Sequence, residues 1–521
     1  MKAHLLAPDG DFDPDQKLPA NAGDLVNDLE LNVILDTMAR EDGLIRDVAA
    51  KTLLNGEIAL DRIAYRQDIL RDCLANAATI RELYALAGGA LEKNRKRWRT
   101  FFDYPGGRLT NAVEALELFS GELRRLRAIV DRDSARFRSA GLSAFCRTIK
   151  AELDEPFFAS VSAHLAELQF RHGVLVSARL GPGNKGVSYV LRKPNVDTRA
   201  WFARLFGDGT PHFTWYLQPR DEQGARALSD LRDKGVMLVA NALQQSTDHI
   251  VSFLTALRAE LAFYVGCLNL HDTLAELGEP TAFAEPTPFD RRAFECHGLC
   301  DVALALTLKR KIVGNDIAAG GARLVVVTGA NQGGKSTFLR SVGQAQLMMQ
   351  AGMFVAAEAF RADVRAGVFT HYKREEDSSM RSGKFDEELA RMNALVDGIR
   401  PHALMLFNES FASTNEREGS EIGRQIVTAL VEDDVKTFFV THMYELAHDF
   451  EGRPPGEVYF LRAQRQEGGE RSFHLEPAPP ERTSYGEDLY AAIFERGDAP
   501  GPGATVRSGA TLSPLPPAQG A

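Results

Sequence analysis

Leu324-Val325-Val326-Val327-Thr328 runs straight into Gly329-Ala330-Asn331-Gln332-Gly333-Gly334-Lys335-Ser336, and Thr337-Phe338-Leu339-Arg340 runs straight out. The first five residues are an apolar, β-branched run that predicts a buried strand. The next eight fit G-x-x-x-x-G-K-[ST], and the residues from there to Gln350 carry helical spacing. Strand, glycine loop and helix, in that order, give the motif a structural meaning. Glycines let backbone N–H groups approach phosphate oxygens closely, and the helix N-terminus adds partial positive charge. Lys335 is placed to reach the β- and γ-phosphates, and the Ser336 hydroxyl to face Mg²⁺. The chain is expected to bind ATP or GTP, with Gly329, Ala330, Asn331, Gln332, Gly333, Gly334, Lys335, Ser336 and Thr337 around the phosphates.

A phosphate loop alone serves kinases, GTPases and ATPases alike. Residues farther on narrow the choice. Ala403-Leu404-Met405-Leu406-Phe407 reads as a buried strand that ends in Asn408-Glu409. At such a strand end the first residue holds the metal and the second orients and deprotonates an attacking water. Glu409 fits the general base, and Asn408 is a neutral, weaker metal ligand. Thr437-Phe438-Phe439-Val440-Thr441 is a further apolar strand, ending at His442, which could sense a γ-phosphate through a hydrogen bond. Ser382 and Gly383 precede a helix pattern that starts near Asp386. A helix N-terminus of that kind suits an anion, and in head-to-tail dimeric ATPases it completes the partner's nucleotide site.

Around these motifs, strands are expected at 324–328, 367–372, 403–407, 437–441 and 458–461. Helices are expected at 337–352, 386–398, 419–431 and 484–494. This alternation predicts an α/β phosphate-loop ATPase domain over 291–496. Residues 24–277 carry apolar stripes at three- to five-residue spacing, predicting a mainly α-helical domain. Gly181, Gly183 and Gly186 spell G-x-G-x-x-G, but strands flank them on both sides, so a small β-hairpin insertion is expected. Residues 1–23 read as a flexible leader and 278–290 as a Pro-rich linker. Residues 497–521 read as a disordered tail.

Net charge is −10 over 521 residues, which excludes a wholly basic nucleic-acid coat; any DNA contact must be a local patch. Lys93-Asn94-Arg95-Lys96-Arg97-Trp98-Arg99 and Lys309-Arg310-Lys311 are the candidates, each also readable as a solvated helix face or end. Five scattered cysteines argue for reduced thiols and a cytoplasmic protein, and Cys296, His297 and Cys300 lack a fourth ligand at zinc spacing. No apolar run reads as long enough to span a bilayer, so no membrane partner is expected.

Together, Thr328 to Thr337, Leu406-Phe407-Asn408-Glu409-Ser410-Phe411-Ala412-Ser413-Thr414 and Val440-Thr441-His442-Met443-Tyr444-Glu445-Leu446 resemble the MutS family of DNA mismatch-repair ATPases. The likeness covers about residues 290–480. Leu29-Glu30-Leu31-Asn32 and Tyr65-Arg66-Gln67 add a fainter likeness to the family's helical core, or lever, domain. The resemblance implies ATP and Mg²⁺, a composite site shared across a homodimer, and nucleotide-controlled movement of helical arms on duplex DNA. It also implies that Asn315 lies near the nucleotide base. Mismatch-sensing relatives carry an N-terminal Phe-x-Glu wedge; here that triplet begins only at Phe283, Phe385 and Phe407, so mismatch recognition itself is not expected. An ATP-gated scaffold or clamp with negligible hydrolysis is the alternative, motivated by Asn408. The helical half leaves DNA, RNA and protein open as its ligand.

Overall fold

A computed structural model describes residues 1–97, 104–170, 173–193, 214, 216–330, 332–374, 383–453, 456–465 and 471–481. The chain is mixed helix and sheet, with a mostly helical N-terminal part. Helices Ala22–Asp28, Leu31–Ala39, Gly43–Leu54, Leu60–Ala75, Ala77–Arg97, Pro105–Asp133, Ala140–Glu152 and Glu155–Leu168 lead to a 56-residue helix, Glu222–Leu277. Pro105-Gly106-Gly107 starts a helix, because proline fits the first turn, where its missing N–H costs nothing.

The long helix is the axis of this half. Its 259–270 stretch is buried on every side, including Tyr264 and Glu260 at 0% exposure. Contrary to the sequence expectation, it holds an 18-residue window of mean hydropathy 1.5, long and apolar enough by composition to cross a membrane. Here 67% of that window is buried inside the protein, as expected for a helix apolar all round and surrounded by others. Toward its N-terminal end the helix meets the antiparallel hairpin Leu175–Leu180 and Gly186–Arg192. The three spaced glycines lie in and beside that turn, and Gly183 takes φ +68°, which a side chain would strain. Among the described residues a small satellite cluster, Leu109, Val113, Leu116, Leu165, Val236 and Ala240, forms the buried core at this tip.

Two segments expected to be loose are built into the core. Residues 1–23 do not behave as a flexible leader: Leu5 and Leu6 are buried at 0% and 2% exposure. The buried Glu260 carboxylate accepts from the N–H groups of Leu5 (2.5 Å) and Phe12 (2.8 Å), and the Tyr264 hydroxyl donates to the Leu5 carbonyl (2.6 Å). A buried carboxylate needs such donors, and a polar, Pro-rich composition hides that demand. Nor is 278–290 a free linker. Ala282–Phe283 pairs antiparallel with Phe354–Val355, and Glu285–Thr287 pairs parallel with Ala359–Asp363. Prolines bar a helix but are tolerated in edge strands, so composition could not separate the two. Tyr65, Arg66 and Gln67 clasp both segments, donating to the carbonyls of His4, Leu6 and Ala284.

The α/β half is a six-stranded sheet in the order Val368–Tyr372, Leu404–Asn408, Lys436–Val440, Leu324–Thr328, Val458–Arg465, Arg471–Pro477. The first five strands are parallel and the last is antiparallel. Alternate residues of the central strands face two cores. Val325, Val327, Leu404, Leu406, Phe438 and Val440 join the helical half in one continuous cluster that begins at Ala3. Leu324, Val326, Met405, Phe407 and Phe439 pack under helices Lys384–Val396 and Glu416–Glu432. Burial on both faces explains why these strands read as unbroken apolar runs. The expected helix at 484–494 and the tail at 497–521 lie outside the described residues.

Candidate functional site

The phosphate-loop strand sits between Lys436–Val440 and Val458–Arg465, so its C-terminal end opens where the strand order reverses. Crevices at such ends are where open α/β sheets bind ligands. Gly329 (φ +108°) and Gly334 (φ +90°) take left-handed conformations, and a Cβ on Gly329 would stand 2.8 Å from the Ala463 nitrogen. Helix Lys335–Gln350 begins on the motif lysine. Lys335 is only 4% exposed, and its Nζ donates to the carbonyls of Gly329 (2.8 Å) and Ala330 (3.0 Å). The ammonium is thus held inside the curl of its own loop, where an anion could draw on it.

A cavity of about 670 Å³ opens on this loop. Of the residues named from the sequence, Gln332, Gly333, Gly334, Lys335, Ser336, Thr337, Glu409 and Asn315 line it, while Gly329, Ala330 and Asn408 do not. Five contributors were missed. Leu304, Leu308, Ile312 and Val313 supply an apolar wall, and Phe473 reaches in from the antiparallel edge strand. Arg310 and Lys311, weighed above as a nucleic-acid patch or a helix end, line the same cavity. Asn315 is 5% exposed; its Nδ2 donates to the Phe473 carbonyl (3.4 Å) and its Oδ1 accepts from Leu475 N–H (2.8 Å). It therefore fixes the strand that presents Phe473. Phe473 itself has φ +59°, unusual for a bulky residue and a mark of a constrained position.

Ser336 Oγ donates to Asn408 Oδ1 at 2.8 Å, joining the loop to the end of strand Leu404–Asn408. These two hard oxygens, beside a phosphate loop, fit Mg²⁺, which takes few protein ligands and completes its shell with water and phosphate oxygens. Glu409 follows with φ +54°, and its N–H donates to Val440 O (2.9 Å). Next to it, Ser410 and His371 are buried at 0% exposure. His371 Nδ1 lies 2.8 Å from Ser410 Oγ, and Nε2 lies 3.0 Å from the Glu388 carbonyl. Burial, with the nearby Arg391 charge second, pushes the His371 pKa down to about 4. The group is neutral in the fold at pH 7. Between the ordinary value of 6.5 and about 4, the unfolded chain takes up a proton that the folded chain refuses. Stability from this group is therefore complete above pH 6.5 and falls as pH drops toward 4, by at most about 3 kcal/mol. Urea melts at pH 7 and 4.5 should show that loss, and His371→Gln should flatten it.

His442 lies just past strand Lys436–Val440, exposed and outside the cavity lining. Gly383 caps helix Lys384–Val396 at its N-terminus. Asn331 and Ser382 lie outside the described residues, as do Trp98 and Arg99 of the first basic run. Within that run Lys93 pairs with Glu122, Arg95 with Glu92, and Arg97 with Glu114, which matches a solvated helix face.

Residues 58–277 match the MutS2 N-terminal domain, and residues 325–486 match MutS domain V. A protein described as DNA mismatch repair protein MutS, from Chloroflexus aurantiacus, is 29% identical over 276 residues, covering 49% of this chain and 28% of that one. MutS protein homolog 4 of Mus musculus is 24% identical over 228 residues, covering 44% and 23%. Endonuclease MutS2 of Thermus thermophilus is 31% identical over 131 residues, covering 25% and 18%. The chain thus spans less than a third of the length of these relatives.

Proposed function

This chain belongs to the MutS family, and we propose that it is an ATP- and Mg²⁺-dependent DNA-acting ATPase of the repair and recombination kind. One observation carries the reading. Lys335 is buried in the loop curl at a 670 Å³ cavity that Ser336 and Glu409 also line, while Ser336 is bonded to Asn408. Lys335 and the loop N–H groups bind and orient the phosphates. Ser336 and Asn408 would hold Mg²⁺, which supplies charge neutralisation on the β- and γ-oxygens. Glu409 takes the proton from the attacking water. His442 is assigned as the γ-phosphate sensor, and Gly383 with Ser382 as an anion site offered to a second copy. Leu308, Ile312, Val313 and Phe473 would receive the apolar base.

We assign the protein a cytoplasmic homodimer as its working state, with the helical half as a lever on duplex DNA. The long helix runs from the shared core to the hairpin tip, so movement at the sheet has a rigid element to travel along. A second reading, an ATP-gated clamp with negligible hydrolysis, draws on Asn408, a neutral carboxamide where an acid would hold the metal more tightly.

Titration with a fluorescent ATP analogue should give saturable, Mg²⁺-dependent binding. Lys335→Ala should weaken it about 10- to 100-fold, the worth of a charge-assisted bond to phosphate. Equal affinity of the variant would remove the assignment. Phosphate release with and without duplex DNA separates the two readings: DNA-stimulated turnover removes the clamp. DNA affinity that does not fall with salt would remove the nucleic-acid partner.

A further inference from the structure

The backbone that carries Glu409 is held in an improbable shape. Glu409 (φ +54°) and Phe411 (φ +64°) are both left-handed without being glycine, and they flank the buried Ser410. Side-chain sterics oppose such a conformation, so the surroundings must impose it. One side chain supplies two of the restraints. Glu388, 3% exposed, accepts from the Phe411 N–H through Oε2 (3.1 Å) and from the Ser413 hydroxyl through Oε1 (2.9 Å). Ser410 Oγ donates to the His371 carbonyl, and the His371 ring lies against the Glu388 carbonyl and stacks on Phe411. From the other side the Phe411 carbonyl presses on Gly419, where an added Cβ would stand 2.2 Å away.

Glu388 does not belong to the strand or loop it restrains. It is on helix Lys384–Val396, in the second turn after Gly383. Both of its oxygens are spent on one loop, two and four residues past Glu409. A shift of that helix therefore pulls Phe411 and Ser413 with it and re-aims the carboxylate that lines the cavity.

We propose that Glu388 is a positioning residue for the attack on ATP, transmitting the seating of helix Lys384–Val396 to Glu409 through the Phe411 N–H and the Ser413 hydroxyl. The inference rests on the reading of Glu409 as general base. It makes turnover, and not nucleotide affinity, the quantity that depends on Glu388. The restraint is one of geometry. Glutamine at 388 can keep both bonds, its Oε1 accepting from Phe411 and its amide donating to Ser413 Oγ. Leucine can keep neither.

The test uses the full chain, with ATP affinity by equilibrium titration, phosphate release at saturating ATP, and thermal melting of each variant. Glu388→Leu should bind ATP within about threefold of wild type and lose at least about tenfold in kcat, the scale of a displaced catalytic group. Ser413→Ala should lose less, and Glu388→Gln should recover to within about threefold of wild type. Wild-type kcat in Glu388→Leu overturns the proposal. A fall in ATP affinity parallel to kcat also overturns it, since that marks a purely structural role. If Glu388→Leu does not fold, Ser413→Ala decides: unchanged kcat together with impaired Glu388→Gln overturns it. A wild type that binds ATP but releases no phosphate would instead defeat the hydrolytic reading itself, a failure visible before any variant is made.

Discussion

Glu409→Gln is expected to leave ATP binding within about twofold of wild type and to cut phosphate release about 10²- to 10⁴-fold, the usual worth of a positioned general base. The separation of the two effects follows from the geometry. In the proposed reading phosphate binding falls to Lys335, whose Nζ lies in the loop curl, and to the N-terminus of helix Lys335–Gln350. Glu409 stands on a different strand end, with its backbone tied to Val440 O and its side chain at the cavity wall. Glutamine keeps the size and the left-handed backbone demand but cannot take a proton. Single-turnover measurements are the right readout, because product release can mask a slowed chemical step. If Glu409→Gln turns over at the wild-type rate, the base lies elsewhere. If it fails to bind ATP, Glu409 serves the phosphates directly.

What could be read from sequence, and what could not, divides along physical lines. Strand Leu324–Thr328 was placed to the residue, and the strands at 368–372, 404–408 and 436–440 to within one residue at each end. Each is buried on both faces, so its apolar run has no competing explanation. The four-stranded sheet formed by Glu285–Thr287, Ala359–Asp363, Phe294–Leu299 and Asn315–Ala318 was not foreseen. Its strands are short and mix polar with apolar residues, and two of their three pairings join segments far apart in the chain, Glu285 with Arg361 and Phe294 with Ala362. The site shows the same division. Lys335, Ser336, Asn408 and Glu409 belong to local patterns with a chemical reason for their spacing. Phe473 enters from a strand far along the chain, and Arg310 and Lys311 from a helix end, so no local pattern could assign them to the cavity. Glu388 and His371 were invisible for a further reason. Their importance comes from bonds to Phe411, Ser413 and Ser410, and such bonds exist only once helix, strand and loop have met.

Asp301→Ala should cost about 3–5 kcal/mol of stability, the usual penalty for breaking a buried, hydrogen-bonded ion pair by removing one partner. The Asp301 side chain is fully buried and serves three donors. It caps helix Val302–Leu308 at the Leu304 N–H (3.1 Å), accepts from Gln344 Nε2 (2.9 Å), and pairs with the Arg340 guanidinium. Arg340 and Gln344 lie one turn apart on the helix that starts at Lys335. Arg340 also pairs with Glu30, and Gln344 also donates to the Leu29 carbonyl (3.0 Å) while accepting from Val302 N–H (2.9 Å). One carboxylate thus joins the phosphate-loop helix to the helix whose Leu304 and Leu308 wall the cavity, and the two side chains it holds reach on to Glu30 and Leu29. Alanine would take one of two acceptors from the Gln344 amide nitrogen, remove the cap, and leave a guanidinium that is 15% exposed with Glu30 as its remaining ionic partner among the described residues. Asp301→Asn keeps a cap and an acceptor, so it should cost less. Equilibrium urea unfolding of the three proteins measures the difference. Equal midpoints would mean that the Asp301 carboxylate adds nothing to what apolar packing and the other bonds of Arg340 and Gln344 already supply. A graded loss, with Asn between wild type and Ala, would mean that the carboxylate holds helix Val302–Leu308 to the phosphate-loop helix and sets the two side chains that reach Glu30 and Leu29, so that strain on the phosphate loop has a route toward the helical half.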